Sequence, residues 1–204
     1  MNHADAAQIS QLVARAKGGD RQAFDGLVEL YAPQVYNISL RITGSRDEAE
    51  DCVQETFVRA FSAMRSFRGE AAFFTWLYRV AINVANDAAK RLARNPLVAS
   101  ELARGGADEP PPDITQASVL MQSTQAPPDE AVLADRRRQI ILQAIRSLPP
   151  HHREVIVLYD LQGLSYHDIA RIVGVRVGTV KSRLSRARLT LKERLRPHLE
   201  LLRG

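Results

Sequence analysis

Cysteine is nearly absent from this sequence: Cys52 stands alone among 204 residues. One thiol excludes an internal disulfide and any zinc site built on cysteines, and gives no reason to expect an oxidising compartment. Aromatic residues are scarce, at 6%. No apolar run approaches the length of a membrane span, and the opening MNHADAAQIS has no basic stretch followed by an apolar one, so a cytoplasmic location is expected. The parts of a catalytic site are missing too. No phosphate-binding glycine loop occurs, the acids from Asp47 to Asp51 read as a helix start rather than a metal-binding cluster, and no nucleophile stands beside a base. The pair His151-His152 reads as an exposed helix start, because no ligand constellation accompanies it. The expectation is a protein that is not an enzyme, with no cofactor, no metal and no small-molecule substrate.

What is present is unevenly placed. The formal net charge is +5, yet residues 1–104 balance to +1, residues 105–133 to −5 and residues 134–204 to +9. A near-neutral front, an acidic joint and a basic tail point to nucleic acid as a partner of the tail. The apolar fraction of 45% and the charged fraction of 25% suit a helical protein with one or two cores.

The front of the chain reads as four helices. Ile9, Leu12, Val13 and Ala16 share one face of the first, and Gly18-Gly19 ends it. Asp20 is placed to cap a second, running to about Thr43 with Phe24, Leu27, Val28, Tyr31, Val35, Ile38 and Ile42 inward; Pro33 is expected to kink or break it. After Gly44, Ser45 or Asp47 can cap a third helix, in which Ala49, Cys52, Val53, Phe57, Ala60 and Phe61 recur at helical spacing and are expected inside. Its other face carries Asp51, Gln54, Glu55, Val58 and Arg59, a mixture of charge and exposed apolar surface that suits a protein interface.

Seven of the twelve aromatic residues lie between Phe57 and Tyr78. Most of these rings are expected in the core. The short loop Phe67-Arg68-Gly69-Glu70 leads to a helix from about Ala71 to Leu92, on which Trp76, Arg79, Asn83, Asn86 and Lys90 step by three or four residues along one side. Leu77, Val80, Ala81, Val84 and Ala88 make the opposite, apolar side. Asparagine is a poor interior helix residue, so two on one stripe ask for a reason. Ring faces can stack on unpaired bases, cations can hold phosphates and amides can read a base edge.

From Asn95 to Pro128 the pattern dissolves into prolines, glycines and acids, with no basic residue after Arg104; this is expected to be a flexible linker. A second helical unit follows, with a helix from about Asp129 to Ser147 stopped by Pro149-Pro150, and another through HHREVIVLYDLQG. Then YHDIARIVGVRVGTVKSRLS, after Ser165, has the small residue Ala170, the turn at Gly174 and the anchors Val180 and Leu184 that let two helices cross closely. This is a helix-turn-helix pattern. In the major groove Lys181, Ser182, Ser185 and Arg186 can reach base edges, Arg176, Arg183 and Arg188 can reach phosphates, and the amides of Gly178 and Thr179 suit a phosphate at the helix start.

Taken together, AEDCVQETFVRAF, SFRGEAAFFTWLYRVAINVANDAAK and VGTVKSRLSRAR, in that order and spacing, closely resemble the extracytoplasmic-function sigma factors of bacterial RNA polymerase, of the sigma-E type. The resemblance spans about Gly19–Arg94 and Asp129–Leu195. It implies an all-α protein of two small helical domains: a region 2 bundle over residues 1–94, a flexible linker over 95–128 and a region 4 helix-turn-helix over 129–204. It implies that Asp51, Gln54 and Glu55 dock on the clamp coiled coil of the largest subunit of core RNA polymerase. It implies that Phe67, Arg68, Gly69 and Phe73 form a loop capturing a flipped base of the promoter −10 element, with Asn83 lining the pocket and Trp76, Arg79 and Lys90 flanking the fork. Arg176, Gly178, Thr179, Lys181, Ser182, Arg183, Ser185 and Arg186 would meet the −35 element, beside the flap of the second-largest subunit. An anti-sigma factor, of a kind often membrane-bound, is the further partner the resemblance implies. Ser185 and the Glu70-Ala71-Ala72 run depart from the relatives, so no promoter consensus is carried over. The alternative reading is a stand-alone helix-turn-helix transcriptional regulator, which would need a dimer interface and a palindromic site.

Overall fold

The computed structural model describes residues 3–94 and 128–203. The expected linker, residues 95–127 of it, lies outside the described residues, and Pro128 opens a helix. Among the described residues all regular structure is helical. Contacts divide the chain into two units, Met1–Arg94 and Asn95–Gly204.

The first unit is built on α2 (Arg21–Thr43), which packs against α1 (His3–Lys17), α3 (Arg46–Ala63) and α4 (Phe73–Arg94). Its ends are set by short polar side chains. Asp20 caps α2 by accepting from the Ala23 N–H at 3.1 Å, and it also takes the Arg15 guanidinium at 2.9 Å. These partners hold its carboxyl below the usual range, the backbone bond first. Gly44 closes α2 at φ +74°, a left-handed conformation that side chains resist, and Ser45, not Asp47, caps α3 through the Glu48 N–H. Pro33 neither breaks nor ends α2, which runs through it as one helix. The carbonyl left without a donor belongs to Glu29, on the exposed side, where water can serve it.

Leu27, Val35 and Ile38 of α2 are fully enclosed, as are Leu77, Ala81, Ala85 and Ala88 of α4 and Ala49 and Ala60 of α3. Three alanines on one face of α4 let its backbone come close to its neighbours. One expected core residue sits elsewhere: Phe61 is 45% exposed. Its ring meets Phe24 edge-on at 5.0 Å, and its other side borders an open groove with Arg21, Val58 and Ser62. Thr56, a polar residue, is also buried.

The second unit centres on α8 (Val177–Leu195), against which α5 (Pro128–Arg146), α6 (Pro150–Ile156) and α7 (Tyr166–Val173) pack; α9 (Leu199–Arg203) ends it. A π-helical turn, Val157–Leu161, continues α6. Val155, Val157, Leu158, Ile169, Val180 and Ala187 form the enclosed centre. Ser165 caps α7 through the Asp168 N–H at 3.2 Å. Gly174 turns the chain at φ +69°, and the Ala170 carbonyl accepts from the Val175 N–H at 3.0 Å. A residue with a Cβ would pay about 1–2 kcal/mol to hold that turn.

Leu27→Ala should lower the unfolding free energy of the first unit by about 2–5 kcal/mol, because a fully packed side chain leaves a cavity. Val58→Ala, on the surface, should change it by no more than about 0.5 kcal/mol. The lone Trp76 lies in this unit, so urea titration followed by tryptophan fluorescence reads it separately; equal effects of the two substitutions would contradict the assignment of the core.

Candidate polymerase and nucleic-acid interfaces

On α3 the buried positions Ala49, Cys52, Thr56 and Ala60 turn the remaining side outward. Asp51, Gln54 and Glu55 are all exposed there, and Val58 is 61% exposed. They line a groove of about 450 Å³ that continues onto α4 at Val84, Asp87 and Arg91. Glu55 accepts from Arg59 Nε at 2.6 Å, one turn away, a half-exposed pair of little energetic weight. Arg91 lies 3.9 Å from Glu48 and Lys90 lies 3.5 Å from Asp87, so the rim of the groove carries both signs of charge. Asp87 and Arg91 were not singled out from sequence. They belong to the groove because α4 packs beside α3, which spacing along α4 alone does not reveal.

Phe67 and Phe73, which the resemblance places in a base-capturing loop, are only 8% and 5% exposed, in keeping with the expectation that most of these rings lie in the core. The two rings meet edge-on at 5.8 Å, and Trp76 closes over both at 5.1 and 5.6 Å. The aromatic cluster consumes these faces in packing. What remains outward is the tip, Arg68, Gly69 and Glu70, with Gly69 at φ +74° and Arg68 3.8 Å from Glu70. The partly covered Trp76 leads into the stripe of exposed Arg79, Asn83 and Lys90 with half-buried Asn86. Leu77, Ala81, Val84 and Ala88 are buried behind it. The structure therefore brings Trp76, Arg79, Asn83 and Lys90 to one face of one helix and sets Phe67 and Phe73 beneath the loop as its support.

In the second unit the spacing of Val180, Leu184 and Ala187 fixes which side of α8 faces the core. Arg176, Gly178, Lys181, Ser182, Ser185 and Arg186 are consequently exposed, with Thr179 and Arg183 half-buried. The helix start differs in one detail from the expectation. The Thr179 N–H already donates to the Arg176 carbonyl at 2.9 Å, so it is not held open for a phosphate; Gly178, one residue earlier, keeps the position of an unpaired first-turn amide. Ser182 Oγ donates back to the Thr179 carbonyl at 3.0 Å, which leaves its oxygen as an acceptor. Arg188, expected to reach phosphates, is bound to Asp160 instead, its Nε 3.3 Å from Oδ2, and the bond to Asp160 raises its pKa. His152 lies near Arg183 and Arg186; burial first, then His151 and these two cations, lower its pKa. Among the described residues no group of three or more His, Cys, Asp or Glu is placed to hold a metal ion, and no helix is long and apolar enough to cross a membrane.

The second helix of the helix-turn-helix thus carries a basic outer face, the arrangement that suits a DNA duplex. The class of protein follows from comparison with known proteins. Residues 27–95 match the family described as Sigma-70 region 2, and residues 138–191 match Sigma-70, region 4. The chain is 37% identical over 198 residues to the RNA polymerase sigma-H factor of Pseudomonas aeruginosa, covering 94% of this chain and 96% of that protein. It is 37% identical over 186 residues to the ECF RNA polymerase sigma-E factor of Haemophilus influenzae, covering 91% and 94%. Among solved structures, CnrH in complex with the cytosolic domain of CnrY matches with a TM-score of 0.66 at 25% identity, covering 94% of this chain and 98% of that one. RpoE from Bartonella quintana, in complex with the anti-sigma factor NepR, matches with a TM-score of 0.59 at 26% identity, covering 85% and 96%. The chain belongs to the sigma-70 family, as an alternative sigma factor of the ECF type. It works with core RNA polymerase and promoter DNA to direct transcription initiation, and it is not an enzyme.

Cys52 sits under the α3 groove, and burial, followed by the nearby Glu48, pushes its thiol up to about 11 from 9.0. A raised thiol pKa leaves less thiolate at any pH below it, roughly a hundredfold less near pH 8. Iodoacetamide should therefore modify the folded protein roughly a hundredfold more slowly than the chain in concentrated urea. Equal rates by mass spectrometry would show that the thiol is accessible.

Proposed function

We propose that the two units divide promoter recognition between them. The second unit reads duplex DNA at the −35 element through the outer face of α8, and the first unit opens the −10 element and captures an extruded base. The observation that carries this reading is the stripe along one side of α4, with Arg79, Asn83 and Lys90 exposed, Trp76 partly covered and the alanine face buried behind. Trp76 supplies a partly open ring, Asn83 a donor and an acceptor for a base edge, and Arg79 and Lys90 cations for the strand. Each stacked base contributes about 1–3 kcal/mol, close to the few kcal/mol that unstacking costs, so one capture site nearly balances the opening. Arg68 and Gly69 at the loop tip border the captured base, and Phe67 and Phe73 hold the loop from below.

On the duplex side, Lys181, Ser182, Ser185 and Arg186 face base edges, while Arg176, Arg183 and the first-turn amide of Gly178 face phosphates; Thr179 places the helix start. The second unit also meets the flap of the second-largest subunit of polymerase. Asp51, Gln54 and Glu55 dock on the clamp coiled coil of the largest subunit, and the exposed Val58 adds apolar contact at the same face. The relatives CnrH and RpoE were solved with CnrY and the anti-sigma factor NepR; by analogy, an anti-sigma factor controls this protein by covering its polymerase-binding surfaces. The site of action is the cytoplasm, where polymerase and chromosome are, and no cofactor or small-molecule substrate is needed.

Transcription of fragmented genomic DNA by core RNA polymerase, with and without this protein, tests the proposal. New starts sharing two upstream elements at fixed spacing are expected; their absence would overturn it. Reversing charge with Asp51→Lys and Glu55→Lys should weaken core binding at least about tenfold, since like charges placed across an interface cost several kcal/mol. Fluorescence anisotropy against labelled core measures this, and unchanged affinity would remove α3 from the interface.

A further inference from the structure

We propose that Tyr166 and Tyr159 are positioning residues for promoter readout: stacked on one another, they hold Lys181 in place on the recognition helix. This rests on the reading that α8 meets the −35 duplex. Tyr166 stands in the first turn of α7 and Tyr159 in the π-helical turn Val157–Leu161. Their rings lie parallel, 10° apart in plane with centroids at 4.8 Å. Every other ring pair among the described residues is tilted or edge-on. Parallel rings set their negative faces toward each other and are the less favoured arrangement unless offset or compensated.

Compensation is present at both ends. Arg188 Cζ lies 5.2 Å from the Tyr159 centroid, and Lys181 Nζ lies 5.7 Å from the Tyr166 centroid. Each inner ring face is occupied by the other ring, so each cation takes an outer one. The four side chains form a ladder of cation, ring, ring and cation, with both cations supplied by α8, two turns apart on one side. The ends of the ladder differ. Arg188 is also bound by the Asp160 carboxylate, which locks that end. Lys181 has the Tyr166 ring and no carboxylate among the ion pairs of the described residues, and its side chain is exposed.

That asymmetry has a function on a DNA-facing helix. A lysine paired with a carboxylate would lose that partner on meeting a phosphate or a base acceptor, whereas a ring holds the charge weakly while leaving its outward side open. The side chain has many rotamers to lose on binding, and a ring that selects among them beforehand reduces that loss. In a helix-turn-helix the first helix crosses the DNA backbone, so a residue in the first turn of α7 stands where it can set the approach of Lys181. Tyr159 contributes at one remove, by fixing the plane of Tyr166.

The test uses holoenzyme reconstituted from the full chain and core RNA polymerase. Its affinity is measured for a fluorescent duplex bearing the −35 sequence found upstream of the mapped starts, and for one with that element scrambled. Tyr166→Leu should weaken binding to the −35 duplex by about two- to fivefold, the scale of an exposed cation–ring contact, and Lys181→Met by at least as much, since it also removes the charge that meets DNA. The double substitution should be no weaker than Lys181→Met alone, and Tyr166→Phe, which keeps the ring, should bind like the wild type. Independent effects that multiply, or a Tyr166→Phe variant as weak as Tyr166→Leu, would overturn the inference. A wild-type holoenzyme that does not distinguish the two duplexes would overturn the −35 reading and this inference together. A readout independent of DNA is the proton NMR shift of the Lys181 ε-methylene in the full chain. It should lie upfield in the wild type and in Tyr166→Phe, and return to the usual position in Tyr166→Leu; its absence in the wild type would overturn the inference even if Tyr166→Leu did not fold.

Discussion

The first unit depends on the close packing of the alanine face of α4. Ala81, Ala85 and Ala88 are fully enclosed, which brings the α4 backbone near α2 and α3 without large side chains between them. Only with that face buried can the opposite one carry Trp76, Arg79, Asn83 and Lys90, because a helix cannot turn to hide both. The aromatic cluster of Phe67, Phe73 and Trp76 performs the matching task at the start of α4, where it fixes the loop that leads into it. A larger residue in place of an alanine would therefore shift the outward stripe without being part of it.

The second unit solves a related problem electrostatically. Its residues 134–204 carry a balance of +9, and several of those cations project from a single helix. Like charges along one face repel, and the fold relieves this by giving some of them partners: Asp160 for Arg188 and the stacked tyrosines for Arg188 and Lys181. The cations that remain outward are the ones that counter-ions hold until phosphates replace them, and binding by such a surface falls steeply with salt.

Much of this was legible before any coordinates. Asp20, Ser45 and Ser165 cap their helices, and Gly44 and Gly174 take the left-handed turns that the sequence required of them. The amphipathic split of α4 and the outward set on α8 follow from residue spacing alone. Three features were not legible, each for a tertiary reason. Phe67 and Phe73 belong by resemblance to a base-capturing loop, and their spacing gave no sign that Trp76 packs over both rings. Phe61 repeats in step with the core, yet the helix pair ends beside it. Arg188 looks like a phosphate ligand until a carboxylate 28 residues earlier is brought to it.

If promoter recognition is divided as proposed, duplex recognition and base capture reside in different units and can be separated. The most direct test places 2-aminopurine at a −10 position of the non-template strand and follows its fluorescence on mixing with holoenzyme, while a footprint reports protection at −35. With Asn83→Ala combined with Trp76→Ala, the −35 footprint should persist and the fluorescence rise that marks base extrusion should be lost. Loss of both together, or of neither, would contradict the division of labour between α4 and α8.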